Sequence, residues 1–208
     1  MPAFLVVPPP DPGFELLVTS NGMAQGISQT NGAQIIPRAF VRIGAVKIGG
    51  QWRNISSPAA NGVAAFFLGF DGKLGKTKLE ARAAYRVRTG AIRGFKSRAW
   101  EFGAGAGRSF GKAMVKLNAE YSPDEFGKGK SLYVELGPAL DVDKGTRLSV
   151  TLGLRERHGG PDYRSLNIGI SKVLDRGLIV EAKYYHTNRS DLGDTYRRRV
   201  VLSARLTL

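Results

Sequence analysis

The sequence has no cysteine, and its only histidines are His158 and His186. Without thiols the chain forms no disulfide, no thiolate metal site and no cysteine nucleophile. Two imidazoles alone also make a His/Cys metal centre a poor interpretation, since such centres need three or four ligands. We therefore expect no metal and no other cofactor.

Long apolar runs are also missing. No apolar stretch approaches the ~18 residues that a membrane-spanning helix needs, which excludes a helical membrane protein. Residues 1–7 lack the basic start of a signal peptide, and their apolar run is too short for one. Either this is a mature or wrongly started form, or the protein is not exported; the interpretation below needs the first option. Proline dominates residues 8–12, so we expect residues 1–13 to form an extended arm and residues 14–208 to form one domain.

Acidic residues are scarce relative to basic ones. Lys and Arg number 31 against 17 Asp and Glu, which gives a net charge of +14. Such an excess usually indicates a nucleic-acid or anionic-membrane partner. The choice between these partners depends on where the charged side chains point.

What the sequence has instead is strict alternation. In residues 147–155 the apolar side chains of Leu148, Val150, Leu152 and Leu154 alternate with polar residues and glycine, the period-two pattern of a strand with one apolar and one polar face. With its flanks this stretch reaches the ~9–11 residues that a tilted strand needs to cross a bilayer. The pattern recurs about twelve times, and that even number is typical of outer-membrane barrels.

The connections between these stretches alternate between short and long, as they do in barrels with one periplasmic and one external rim. The sequence therefore predicts an all-β fold, a closed antiparallel up-and-down transmembrane β-barrel of about twelve strands with short periplasmic turns and longer outer loops. We place the short turns at Gly44, 71–73, 110–111, 143–145 and 175–177, and the long loops at 20–34, 56–62, 89–98, 122–130, 157–162 and 188–194.

Barrel size indicates which face lies outside. A barrel of ~8 strands is just filled by side chains, so twelve strands filled only with Ala, Val and Leu would enclose a destabilising void. We therefore expect the apolar face to contact lipid and the charged face to line a hydrated lumen. Aromatic residues near strand ends fit the interfacial girdles of such barrels: Trp52, Tyr85, Trp100, Tyr121, Tyr184 and Tyr196.

The candidate lumen-lining residues are the charged residues of the polar faces. Basic side chains outnumber acidic ones among them, and rings of Arg and Lys favour anions; the alternative is that Arg and Glu pair across the lumen and plug it. The candidates are Arg38, Arg42, Lys47, Arg53, Glu80, Arg82, Arg86, Glu101, Lys116, Glu120, Glu135, Arg147, Arg155, Glu181, Lys183, Arg197, Arg199 and Arg205.

The segment at residues 20–32 resembles the start of the TorF-type porins. The family pattern runs Ser-Asp/Asn-Tyr-x-x-Arg-Gly-Ile/Val-Ser-Gln-Thr/Ser, and the run Gly26-Ile27-Ser28-Gln29-Thr30 matches it. Gly22 stands where the family has Tyr, and Gln25 where it has Arg. The resemblance implies an outer-membrane β-barrel assigned as a porin, and it implies no catalytic residues.

Two other functions stay open from the sequence. The run from His186 to Ser190 superficially resembles the His/Ser/Asn grouping of outer-membrane hydrolases, and the Arg-rich strand faces would also suit a soluble nucleic-acid-binding protein. The glycines at 103, 105 and 107 lie within a strand, so they indicate close packing rather than a phosphate loop. We favour a non-enzymatic barrel whose partners are outer-membrane lipid and small solutes or ions, not nucleic acid; the solute and the oligomeric state stay open.

Overall fold

Twelve long strands form one closed antiparallel barrel in the computed structural model, which describes residues 8–174 and 177–208. Consecutive strands pair as neighbours, and the pairing of the first strand with the last closes the barrel. The strands are β1 (Asp11–Thr19), β2 (Met23–Ala24), β3 (Ile27–Ser28), β4 (Gln34–Ile43), β5 (Val46–Ser57), β6 (Ala60–Leu74), β7 (Thr77–Thr89), β8 (Arg98–Phe110), β9 (Ala113–Ser122), β10 (Ser131–Asp143), β11 (Thr146–Arg157), β12 (Tyr163–Val173), β13 (Leu178–Thr187) and β14 (Arg199–Thr207).

This architecture confirms the predicted barrel and its strand number. Among the strands of the described residues, only β2 and β3 lie outside the barrel wall, as a separate two-stranded ribbon. Three short 3-10 helices, Glu125–Gly127, Ser190–Leu192 and Asp194–Tyr196, lie in the long loops. No helix among the described residues has the length and apolar character needed to span a membrane.

Several predicted boundaries move. The turn predicted at 71–73 lies inside β6, because this strand continues to Leu74 and turns at Gly75, whose φ of 57° suits glycine. The predicted loop at 56–62 shrinks to residues 58–59, since β5 and β6 extend into it. β1 begins at Asp11, inside the predicted arm. Residues 1–7 of that arm, and Asp175 and Arg176 of the last predicted turn, lie outside the described residues.

The barrel carries its apolar residues on the outside. Leu152, in the middle of β11, is 61% exposed, and Phe66 and Val200 are 63% and 66% exposed. Leu152 lies opposite Leu136 and Leu166 of the neighbouring strands, so a continuous apolar surface covers this side of the barrel. This is the reverse of the burial pattern of a soluble protein.

Several aromatic residues of this outer face lie near the long-loop rim. Tyr85 and Trp100 lie side by side, with ring centroids 5.1 Å apart, and Trp52 donates a hydrogen bond from Nε1 to Thr89 Oγ1 at 3.1 Å. Tyr196 was predicted to belong to this girdle, and that assignment is wrong. Its side chain is buried against Ile27 and Tyr163 and lines the lumen, because the 3-10 turn Asp194–Tyr196 directs the ring inward.

Candidate functional site: the barrel lumen

The lumen contains two adjoining cavities. The larger, about 810 Å³, lies toward the long loops, and the smaller, about 270 Å³, lies toward the short turns. Five side chains line both cavities and therefore lie where the two adjoin: Arg38, Phe67, Arg82, Asn118 and Glu120. A solute crossing the barrel would have to pass this group.

One half of the wall, β4 to β8, is rich in arginine. Arg82 donates to Glu101 Oε1 at 2.7 Å, and Arg86 pairs with the other oxygen of the same carboxylate. Glu101 is only 8% exposed, so its charge is stabilised chiefly by these two guanidinium groups. Arg53 lines the same cavity, and its Nε atom is buried without a partner. A single buried carboxylate thus serves a cluster of three arginines, which leaves this half of the wall positively charged.

The other half, β10 to β13, combines tyrosines and small polar residues with the charged residues Glu135, Arg155 and Arg157. The hydroxyl of Tyr133 donates to Glu135 at 3.2 Å and lies 3.3 Å from Ser165 Oγ. Glu135 also accepts a hydrogen bond from Asn118 at 3.0 Å. Gly153 lies beneath Tyr133, where an added Cβ would lie 2.5 Å from Ser165 Oγ and would also collide with the Tyr133 hydroxyl. Glycine is therefore required there for the tyrosine to lie flat against the wall.

The first long loop folds into the lumen as a hairpin made of β2 and β3. Its tip crosses to the opposite wall, where Gln25 Nε2 donates to Glu120 at 2.8 Å and Tyr163 donates to the Gln25 carbonyl at 2.8 Å. Ile27 packs against Tyr163 and Tyr196, whose rings meet edge to face. Gly26 has a φ of 80°, and an added Cβ would lie 2.5 Å from Ser165, so the tip also needs glycine. We call residues 20–33 the internal hairpin.

Polar contacts fix the base of the internal hairpin. Thr30 accepts a hydrogen bond from the Gly22 amide at 2.7 Å, and Ser28 donates to Asn21 and to the Thr30 carbonyl, both at 2.7 Å. The motif Gly26 to Thr30 therefore forms the buried part of a compact insert, whereas the sequence pattern suggested only a polar external loop. Period-two alternation carries no information about such a two-residue strand pair.

The loop at residues 123–130 also turns inward and bridges both halves of the wall. Glu125 forms ion pairs with Arg155 and Arg157 of β11, both at 2.8 Å. The adjacent Phe126 is buried with Val63 and Ala99 beneath the guanidinium groups of Arg86 and Arg88. Lys128 lies at the same mouth, where burial first, and then the charge of Arg157, lowers its pKa below the usual lysine range.

The structure places most of the predicted lumen residues on inward-facing strand positions. Those lining the larger cavity are Arg38, Arg53, Arg82, Arg86, Glu101, Glu120, Glu135, Arg155 and Arg205, and Lys47 and Glu80 line the smaller cavity. A further group has the same strand phase but lies outside both cavities: Arg42, Lys116, Arg147, Glu181, Lys183 and Arg199.

The assignment of Arg197 to the lumen is wrong. This residue follows the 3-10 turn Asp194–Tyr196 and lies exposed in the last long loop, before β14 begins at Arg199. The side chain of Arg199 itself turns toward Asp194 of that loop. Alternation extrapolated beyond the end of a strand therefore fails, because the 3-10 turn breaks the period.

Sequence reasoning also missed several wall residues. Arg88 and Arg157 lie one inward step beyond Arg86 and Arg155 on the same strands, so the alternation would have found them. Glu15, on β1, is not marked by any sequence pattern, but it accepts a hydrogen bond from Arg38 at 3.2 Å. Glu125 and Lys128 come from a loop, and no local pattern predicts that this loop enters the lumen.

The residues considered for enzymatic chemistry do not assemble. In the part of the chain that the structure describes, His186 Nδ1 is buried without a hydrogen-bond partner, and Thr187 donates to the Tyr196 carbonyl at 2.8 Å. Neighbouring Asn188 accepts a hydrogen bond from the Arg164 amide at 2.7 Å, so its amide oxygen is engaged by a strand end. Gly105 packs close to Asn118, as expected for a glycine in a barrel wall.

No protein-family model and no curated protein matches this chain. Solved structures of outer-membrane channels share its fold. A KdgM porin superposes with a TM-score of 0.66 at 8% identity, covering 93% of this chain and 98% of its own. An outer membrane channel from Pseudomonas putida F1 gives 0.50 at 12% identity, with 96% and 95% coverage. OccAB3 from Acinetobacter baumannii gives 0.52 at 12% identity, covering 92% of this chain and 59% of its own. At such identities the likeness concerns the fold.

Proposed function

We propose that this protein is a bacterial outer-membrane channel for small anionic solutes, narrowed by an internal hairpin. The observation that carries the proposal is the inverted distribution of residues: leucines and phenylalanines cover the outside, and arginines line an interior cavity. In lipid the closed barrel satisfies the backbone hydrogen bonds of every strand, which an open sheet does not. The fold shared with outer-membrane channels supports the same conclusion.

The charge of the lumen supports a preference for anions. Arginines of β4 to β8 face the larger cavity, and their counter-ion Glu101 is shared among them. A wall with uncompensated guanidinium groups attracts anions and repels cations. The internal hairpin restricts the passage to small solutes, because its tip reaches the wall opposite its own strands.

The TorF-type resemblance forms part of the proposal. Its best-matching residues, Gly26 to Thr30, lie in the internal hairpin and contact the lumen wall. A motif in that position would shape the passage, which is a reason for a channel family to keep it. The hydrolase and nucleic-acid alternatives have no such support, since His186 lacks a base–nucleophile partner within the described chain and the arginines face inward.

Ion selectivity in planar lipid bilayers tests the channel. We expect discrete current steps, and in a gradient of KCl a reversal potential shifted toward the chloride equilibrium potential. A shift toward the potassium potential would contradict the anion preference. A protein that migrates with the heat-modifiable mobility of a folded barrel and yet gives no current would be a plugged structural barrel, which would overturn the channel function.

A charge on the outer face tests the membrane location. Leu152→Arg places a cation at the middle of β11, where lipid contact predicts a loss of about 2–4 kcal/mol of folding free energy. Leu152→Met, which keeps the apolar character, is the matched control. Urea unfolding of both variants in phospholipid vesicles measures the difference. Equal stabilities would contradict lipid contact, because an exposed arginine on a water-facing surface costs almost nothing.

A further inference from the structure

The carboxylate of Glu125 lies in a ready-made site on the lumen wall. Arg157 donates from Nε to Oε2 at 3.0 Å and from Nη2 to Oε1 at 2.8 Å, and Arg155 adds a third hydrogen bond from Nη2 to Oε1 at 2.8 Å. The pair of bonds from one guanidinium matches the planar geometry of a carboxylate. This part of the wall therefore recognises a carboxylate by shape as well as by charge.

The site has donors that Glu125 does not use. Arg155 is only 3% exposed, yet its Nε and Nη1 atoms are buried without a hydrogen-bond partner among the described residues. Leaving a charged donor buried without an acceptor is unfavourable. Both arginines line the 810 Å³ cavity, so an anion entering that cavity can supply acceptors where the loop does not.

Glu125 reaches the site on a strained backbone. Its φ is 25° and that of Phe126 is 58°, both in the left-handed region although neither residue is glycine. Such a backbone conformation is strained and persists only where surrounding contacts impose it. Here the contacts are the ion pairs of Glu125 and the burial of Phe126 beside Arg86 and Arg88. An anion that replaced the Glu125 carboxylate would allow this strain to relax.

We propose that Arg155 and Arg157 form a binding site for a carboxylate group of the solute, and that Glu125 is a tethered competitor that holds the site until a solute displaces it. This inference rests on the proposed channel function. A side chain tethered by a short loop acts at an effective concentration in the millimolar range. The competitor therefore keeps solute binding weak and exchange fast, as conduction requires.

The favoured ligands are small dicarboxylates. A first carboxylate replaces that of Glu125 on Arg157 and Arg155, and a second meets Arg88 of the arginine half of the wall, which lies over Phe126 next to Glu125 and whose Nε is buried without a partner. The cavity volume is within the range of small-molecule binding sites. Sulfate carries the same charge as succinate but lacks two separated planar groups, so it provides a matched comparison.

Calorimetric titration of succinate into the folded, detergent-solubilised full chain tests the site directly. We expect Glu125→Gln to lower the dissociation constant for succinate at least tenfold relative to the unaltered protein. Arg157→Gln should abolish binding, and Glu125→Asp, whose carboxylate reaches less far, should fall between the unaltered protein and Glu125→Gln. Asp124→Asn is the control, since this neighbour in the same loop pairs with Lys96 instead, and it should leave binding unchanged.

Block of chloride current by succinate separates this inference from the channel function. If channels conduct and Glu125→Gln lowers the half-blocking concentration at least tenfold, both proposals stand. If channels conduct but succinate acts equally on Glu125→Gln and the unaltered protein, or no better than sulfate, the carboxylate site is refuted and the channel remains. If no variant conducts, the channel function is refuted. The order of the succinate dissociation constants measured by calorimetry then decides by itself whether the carboxylate site exists. Heat-modifiable migration verifies that each variant is folded.

Discussion

The two halves of the lumen wall solve the same packing problem with different chemistry. In β4 to β8, the arginine half, Arg82 and Arg86 share the buried carboxylate of Glu101, whereas β10 to β13, the tyrosine half, lay Tyr133 over Gly153 and bind the carboxylate of a loop residue, Glu125, through Arg155 and Arg157. The arginine half needs its counter-ion, because guanidinium groups without one are costly to bury. The tyrosine half needs space at Gly153, because the Tyr133 ring leaves no room for an added methyl group. The arginine half sets the electrostatic field in the lumen, and the tyrosine half contacts the internal hairpin.

Removing the shared counter-ion of the arginine half should produce the largest loss of folding free energy. Glu101→Gln leaves Arg82 and Arg86 without a carboxylate, and breaking a buried ion pair costs about 3–5 kcal/mol of folding free energy. Urea unfolding in phospholipid vesicles measures the loss. Glu80→Gln makes the same change on β7, at an exposed position of the smaller cavity, and should change stability little. Similar losses in both variants would mean that general charge, and not the Glu101 cluster, stabilises this half.

Filling the space beneath Tyr133 in the tyrosine half, β10 to β13, should cost less folding free energy than removing Glu101. Gly153→Ala forces the Tyr133 hydroxyl and Ser165 apart, and overpacking of this kind costs about 1–3 kcal/mol. Gly103→Ala is the matched control in the arginine half, β4 to β8, since the nearest heavy atom to an added Cβ there is 3.8 Å away. The same vesicle unfolding measurement compares the two variants. A Gly153→Ala protein as stable as Gly103→Ala would show that Tyr133 does not need this glycine.

Ion selectivity should respond to both halves, in opposite directions and by only a few-fold. Arg53→Gln removes a cation from the larger cavity and should lower the chloride-to-potassium permeability ratio. Glu135→Gln removes an anion from the other half while keeping one of the two oxygens that accept from Tyr133 and Asn118, and should raise the ratio. Reversal potentials in a KCl gradient measure both changes. Shifts of the same sign would contradict an interior field set by these opposed charges.

The smallest effect concerns pH and the loop that bridges the halves. Because the pKa of Lys128 is lowered by burial and by Arg157, its ammonium loses its proton at a pH at which an exposed lysine is still charged. Anion selectivity should therefore begin to fall with rising pH before the usual lysine range is reached. Lys128→Arg keeps its charge throughout and should abolish this early fall. An identical pH profile for the two proteins would show that the charge of Lys128 does not contribute to anion selectivity.

The alternating pattern predicts the barrel wall well, since each inward or outward position follows from period two once the strand is known. Residues such as Arg82 and Leu152 are therefore placed correctly by parity alone. The pattern fails where the chain leaves the strands, as Arg197 and Tyr196 show, because a 3-10 turn resets the direction of side chains.

The inward loops were beyond sequence reasoning for a different reason. Whether Gln25 or Glu125 turns outward or inward depends on partners such as Glu120 and Arg157, which are distant in the chain. A polar loop residue looks the same in either case. Left-handed conformations at Gln25, Glu125 and Phe126 carry no composition signal either, since they are imposed by tertiary contacts.

The closure between β1 and β14 has a consequence for assembly. Phe14 and Leu208 exchange backbone hydrogen bonds of 3.1 and 2.9 Å, so strands from opposite ends of the sequence must meet before the cylinder is complete. Until these strands pair, two strand edges remain unpaired, and each can pair with a strand of another chain. Neither edge can enter the hydrocarbon without leaving backbone amide groups unsatisfied. Insertion of this protein should accordingly be an all-or-none event that awaits the delivery of its final strand.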